Sequence, residues 1–182
     1  KTDMAVTSIW PVKSRLDHVI NYARNPEKTR ERSLVAQASL HAIDNVIEYA
    51  ADTIKTEERA YVSCLNCRED DAALQMMETK RYWGKTDGRL CFHGYQSFAA
   101  GEVTAETAHA IGVKLAEELW GERFEVVIAT HCNTGHYHNH FVINSVSWLD
   151  GYKFNNSKAD YAKMREVSDR LCREHTISVI DA

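Results

Sequence analysis

The chain has 182 residues, 44% hydrophobic and 26% charged, with a formal net charge of −4, a balance that suits one soluble domain with a buried core. Two prolines and eight glycines exclude a fibrous or disordered chain, and no apolar run approaches the ~20 residues of a membrane-spanning helix. Five cysteines, an odd number, point to a reduced, cytoplasmic protein rather than a disulfide scaffold. The acidic total argues against a nucleic-acid partner, but its distribution does not. Residues 33–78 carry nine acidic and three basic side chains, whereas 1–32, 79–90 and 151–175 are each mildly basic.

In chain order, residues 5–12 read as a strand with Pro11 near its end. Ser14 caps an expected helix whose apolar face is Leu16, Val19, Ile20 and Ala23, and Asn25-Pro26 ends it. A second helix is expected over 34–54, with Leu40, Ile43, Val46, Ile47 and Ala50 at helical spacing. Val62–Leu65 reads as a short strand, 69–82 as a helix, and Arg89–Phe98 as a strand. Thr104 caps a helix running to about Trp120. Phe124–His131 and Tyr137–Val146 form two apolar strands, and Asp150-Gly151 turns into Tyr152–Phe154. Residues 158–174 form a last amphipathic helix through Tyr161, Met164, Val167 and Leu171, and Ile177–Ile180 reads as an edge strand. The order predicts an α+β fold, a mainly antiparallel central sheet of about five strands with helices packed on it. No Gly/Ser/Pro linker divides residues 4–182, so they read as one domain. Met4 reads as a native start with residues 1–3 left over before it, and the apolar Ser178-Val179-Ile180 reads as a chain that continues beyond 182.

Two local patterns qualify this outline. Val19-Ile20-Asn21-Tyr22-Ala23, ending in Lys28-Thr29, recurs as Val46-Ile47-Glu48-Tyr49-Ala50, ending in Lys55-Thr56, a weak repeat that helix packing alone also explains. Cys64-x-x-Cys67 has half the spacing of a zinc knuckle but no second pair to complete it.

Four of nine histidines fall within ten residues: His131, His136, His138 and His140. In a strand starting near Tyr137, His138, His140 and Asn144 share one face, while Tyr137, Phe141 and Ile143 turn to the other. An antiparallel partner ending in His131 brings a third imidazole beside that pair. Three neutral imidazoles on one face suit a divalent cation and leave coordination positions open, as catalytic rather than structural sites do. The plainer alternative is three partly exposed histidines at a loop edge. His136, in the loop, reads as a gate or phosphate contact rather than a ligand.

The segment His131-Cys132-Asn133-Thr134-Gly135-His136-Tyr137-His138-Asn139-His140-Phe141-Val142-Ile143-Asn144 resembles the three-histidine motif of conjugative relaxases, the MobA/VirD2-like mobilization nucleases of the HUH endonuclease class. Tyr22-Ala23-Arg24-Asn25-Pro26-Glu27-Lys28-Thr29, His93-Gly94-Tyr95-Gln96-Ser97-Phe98 and Ser168-Asp169-Arg170-Leu171-Cys172 also resemble that family. Asn133 departs from the pattern, where many members carry aspartate. The resemblance implies a relaxase that nicks one DNA strand at a transfer origin. A tyrosine would attack the phosphodiester, leaving a 5′-phosphotyrosine link and a free 3′-OH.

It further implies a divalent metal on His131, His138 and His140 (Mn²⁺ or Mg²⁺, with Zn²⁺, Co²⁺ or Ni²⁺ acceptable) and Tyr22 as nucleophile, with Tyr49 the rival because it repeats the local context. Asn144 is expected to buttress the site. His93 or Gln96 is expected to orient a ligand histidine, or else to pack and hydrogen-bond within the sheet. Arg24, Lys28 and Arg30 near Tyr22, and Lys153 and Lys158, are candidate phosphate contacts or solvated charges. The implied partners are single-stranded DNA with a hairpin at the origin, accessory transfer proteins and a coupling protein, and no membrane. A rolling-circle initiator and a non-cleaving DNA-binding accessory module are the competing readings.

Overall fold

A computed structural model describes residues 5–13, 28–51, 61–132 and 135–179, with side chains in 28–37 left aside. Its elements are β1 (Val6–Lys13), α1 (Lys28–Ala50), β2 (Val62–Leu65), a single 3₁₀ turn (Glu69–Asp71), α2 (Ala72–Tyr82), β3 (Arg89–Ser97), α3 (Ala105–Trp120), β4 (Val126–His131), β5 (His138–Asn144) and α4 (Lys158–Glu174). The strands form one sheet in the order β1-β3-β5-β4-β2, every neighbouring pair antiparallel. The expected α+β architecture with a mainly antiparallel sheet of five strands is what the chain adopts.

Alternation along the strands gives the sheet two apolar faces. Phe92, Phe141 and Ile143 pack with Ile111 and Leu115 of α3 and Met164, Val167 and Leu171 of α4. On the other face, Cys91, Val127, Ala129 and Val142 pack with Ile43, Ile47 and Ala50 of α1 and Met76 and Met77 of α2. Burying each large side chain contributes about 1.5–3 kcal/mol, so the sheet is held rigid between two helical layers. α4 starts on a capping box: Ser157 accepts from the Asp160 backbone N–H at 3.2 Å, and the Asp160 carboxylate accepts from the Ser157 N–H at 2.9 Å. Thr104 caps α3 by accepting from the Thr107 N–H at 3.1 Å.

Several boundaries differ from the sequence reading. α1 begins at Lys28 rather than 34, because the Lys-Thr-Arg-Glu-Arg run that reads as surface charge is built mostly of strong helix formers. The 69–82 helix opens as a 3₁₀ turn over the acidic run Glu69-Asp70-Asp71. Of the edge strand expected over Ile177–Ile180, residues 177–179 are described and do not form a strand; Val179 makes one isolated parallel bridge to Ala5, and Lys153 one antiparallel bridge to Val146. The helix expected over 14–25 lies outside the described residues.

Candidate metal centre

The site grows out of strand register. His131 on β4 stands opposite His138 on β5, and His140 stands between Ala129 on β4 and Tyr95 on β3. Because alternate residues share a face, His131, His138, His140 and His93 all turn toward the α1/α2 side of the sheet. The imidazole centroids of His131 and His140 lie 4.1 Å apart, and those of His138 lie 5.0 Å from each. One nitrogen from each of His131, His138 and His140 falls within 4.8 Å of the others. Among the described residues this is the group of three or more His, Cys, Asp or Glu side chains whose ligand atoms converge.

The remaining ring nitrogens are engaged. His138 Nδ1 lies 3.1 Å from the His136 carbonyl oxygen, and His140 Nδ1 lies 2.8 Å from His93 Nε2. These contacts leave Nε2 as the atom that both rings would offer to a cation, the arrangement by which an outer partner fixes tautomer and orientation. Burial, and secondarily the nearby His131, pushes His93 down to about 4. His93 is therefore neutral and able to accept the His140 Nδ1–H. His131 Nε2 donates to the Ala50 carbonyl at 2.7 Å, so Nδ1 is the atom that it would offer to a cation. The donor set is three imidazoles with no carboxylate, which fits a borderline divalent cation with open positions.

The Ala50 carbonyl ties the end of α1 to the site. Ala50 and Ala51 are fully buried against the sheet, and small side chains there let the helix approach closely. The preceding residue, Tyr49, is 55% exposed, and its ring lies 6.0 Å from His140, 6.2 Å from His131 and 6.3 Å from His93. A tyrosine therefore stands edge-on above the histidine cluster, fixed through its neighbour's bond to one of the rings.

The opposite face holds the same two strands from behind. Asn139, between His138 and His140, donates to Gln96 Oε1 at 2.9 Å and to the Ala108 carbonyl at 2.8 Å, and accepts from Thr130 at 2.6 Å. Thr130 in turn meets His109 Nδ1 at 2.8 Å, and His109 Nε2 meets Ser63 at 2.7 Å. Gly112 is required where α3 crosses this network: a Cβ there would stand 2.5 Å from Asn139 Nδ2.

The other candidates from the sequence fall elsewhere. Gln96 is on the back face, bonded to Ser168 and Asn139, because its neighbour Tyr95 takes the histidine side. Asn144 does not buttress the histidines. It shares their face but sits four residues past His140, about 13 Å along the strand, where it accepts from Lys80 and donates to the Met76 carbonyl and Glu125. His136 is exposed in the loop. Lys28 and Arg30 lie in the first turn of α1, about 30 Å along the helix from Tyr49. Lys153 pairs with Asp87 at 3.6 Å beyond the far end of β5, and Lys158 opens α4, which packs on the opposite face. Tyr22 and Arg24 lie outside the described residues. Cys64 and Cys67 assemble no cluster with other ligands among the described residues.

The family model for relaxases, MobA/VirD2-like, nuclease domain, matches residues 49–177. The chain belongs to this relaxase family. Protein rlx of Staphylococcus aureus is 39% identical over 117 residues, covering 64% of this chain and 35% of that protein. The group II intron-interrupted relaxase LtrB of Lactococcus lactis subsp. cremoris is 32% identical over 186 residues, covering 93% of this chain and 33% of its own length. A solved structure described as the molecular basis of vancomycin resistance transfer in Staphylococcus aureus matches with a TM-score of 0.60 at 12% identity, over 99% of this chain and all of that one; this likeness concerns the fold alone. The chain spans about a third of the length of these curated relatives. Among the described residues, no helix is long and apolar enough to cross a membrane.

Proposed function

We propose that the chain is the nicking domain of a conjugative relaxase, which cuts one DNA strand at a transfer origin by tyrosine transesterification assisted by a divalent metal. The observation that carries this reading is Tyr49 standing about 6 Å from two rings of a three-imidazole cluster. The match of the family model to residues 49–177 supports the relaxase class of this reading.

His131, His138 and His140 would hold the ion, which would supply charge neutralisation at the non-bridging phosphate oxygens and so ease attack by an anionic nucleophile. Tyr49 supplies the phenol oxygen, which loses its proton during attack. The Tyr49 oxygen forms a bond to phosphorus as the P–O3′ bond breaks. The phenolic proton passes to solvent, and the departing 3′ oxygen takes up a proton to become the free 3′-OH. One phosphodiester replaces another, so the energy of the linkage is kept for rejoining. His93 holds the His140 ring, and the Ala50 carbonyl holds His131. The partners of this reading are single-stranded DNA at the origin, with accessory and coupling proteins of the transfer machinery.

The test is covalent adduct formation between the chain and a labelled single-stranded origin oligonucleotide with Mn²⁺ or Mg²⁺. Tyr49→Phe is expected to abolish the adduct and Tyr22→Phe to retain it. The reverse pattern moves the nucleophile to Tyr22. Failure of the wild-type chain to form an adduct on its cognate origin favours the accessory-module reading.

A further inference from the structure

The rings on the histidine face continue past the metal centre to the edge of the sheet. Trp10 on edge strand β1 stands opposite His93, and their ring centroids lie 4.8 Å apart. His93 and His140 follow at 5.1 Å, then His140 and His131 at 4.1 Å. Four planar rings therefore cross β1, β3, β5 and β4 in one row, with Tyr49 over the inner three. Three of the four have work in the nuclease reading: two are metal ligands and one orients a ligand. The fourth does not, yet it is a tryptophan with 43% of its surface exposed. A single indole exposed on a surface is ordinary. An indole lying one ring beyond a nucleic-acid-cleaving centre is the kind of platform on which an unpaired base stacks, since every base offers a π-face.

We propose that Trp10 is the base-stacking subsite for a nucleotide of the single strand flanking the scissile phosphate, at the point where the strand crosses the β1 edge. The inference rests on the nuclease reading for the presence of single-stranded DNA, but it makes a claim that nicking chemistry does not. The subsite takes a nucleobase, with little preference for which one, because stacking reads a ring rather than a hydrogen-bonding edge.

The test measures equilibrium binding without metal, so that chemistry does not enter. Two fluorescent probes of about twelve nucleotides, within the site sizes of single-strand grooves, are compared: oligothymidylate, and the same backbone with every base replaced by an abasic tetrahydrofuran. Both carry the same phosphates and differ in the bases alone. Trp10→Leu, which keeps apolar bulk on the strand, is expected to weaken oligothymidylate binding about 5- to 150-fold, the loss of one stacked base. It should leave the abasic probe unchanged. Trp10→Phe, which restores a ring, should recover most of the affinity. Equal losses on both probes, no loss on oligothymidylate, or a wild-type chain that binds the two probes equally each overturns the subsite. Those results leave the nuclease reading standing if the wild-type chain still forms its covalent adduct; failure of the wild-type chain to form it, with intact base-dependent binding, would instead remove the nuclease reading alone.

Discussion

Two polar clusters sit on the same face of β5, four residues apart, and they are opposite solutions to burial. Around Asn144, a lysine, a carboxylate, an amide and a hydroxyl satisfy one another: Lys80 donates to Asn144, Asn144 donates to Glu125, and Thr79 donates to Glu125. Lys80, Glu125 and Asn144 are all buried. Around His140 the converging ligand atoms are of one kind, the nitrogens of three imidazoles with no carboxylate among them. The first cluster is chemically closed and binds α2 to the sheet. The second has the composition that a divalent cation would complete. Burial alone therefore does not mark a functional site on this strand; the composition of the cluster does.

The sharpest way to separate the two is to open the closed one. Lys80→Met leaves Glu125 buried without its counter-charge and is expected to cost about 3–5 kcal/mol of stability, read by denaturant unfolding, with metal affinity of the folded protein unchanged. A smaller effect concerns pH. Burial pushes Lys80 down to about 8 from 10.5, so between those values the unfolded chain binds a proton that the folded chain does not. Stability of the wild type relative to Lys80→Met should therefore rise with pH from 8 to 10.5, by up to about 3 kcal/mol. A flat difference across that window would mean that the ammonium keeps its ordinary pKa.

On the histidine side the expected effects reverse. His93→Ala removes the partner of His140 Nδ1 and is expected to lower Mn²⁺ affinity about 10- to 100-fold, measured by calorimetric titration. Its effect on stability should be smaller than that of Lys80→Met. The smallest change serves as the control for both clusters: Ser157→Ala removes the α4 cap, should cost about 1 kcal/mol, and should leave metal affinity untouched. A change in metal binding there would show that the two faces of the sheet are coupled.

Local chemistry was readable from the chain, and long-range contact was not. The period of two along Tyr137–Ile143 assigns His138 and His140 to one face and Phe141 and Ile143 to the other, because a strand leaves no other choice. Ser157 and Thr104 announce their helices for the same local reason. The fate of Asn144 depends on Lys80, 64 residues away, and no spacing rule carries that pairing. Gln96 and His93 are three residues apart on one strand, so they occupy opposite faces, and only the register with β5 shows that His93 meets His140. The distance of Tyr49 from the histidines depends on how α1 docks, which is set by small buried alanines and by a backbone carbonyl that no sequence motif records. Trp10 carried no signal beyond membership of a strand until its register with His93 placed it at the end of the ring row.

The claim on which the rest depends is that His131, His138 and His140 hold one divalent ion. Titration of the metal-free chain with Co²⁺, followed by its visible ligand-field absorption, tests it directly. The account predicts saturation at one ion per chain and loss of the signal on replacing any one of the three histidines by alanine, with Lys80→Met unaffected. Binding that survives each of the three single replacements would contradict it.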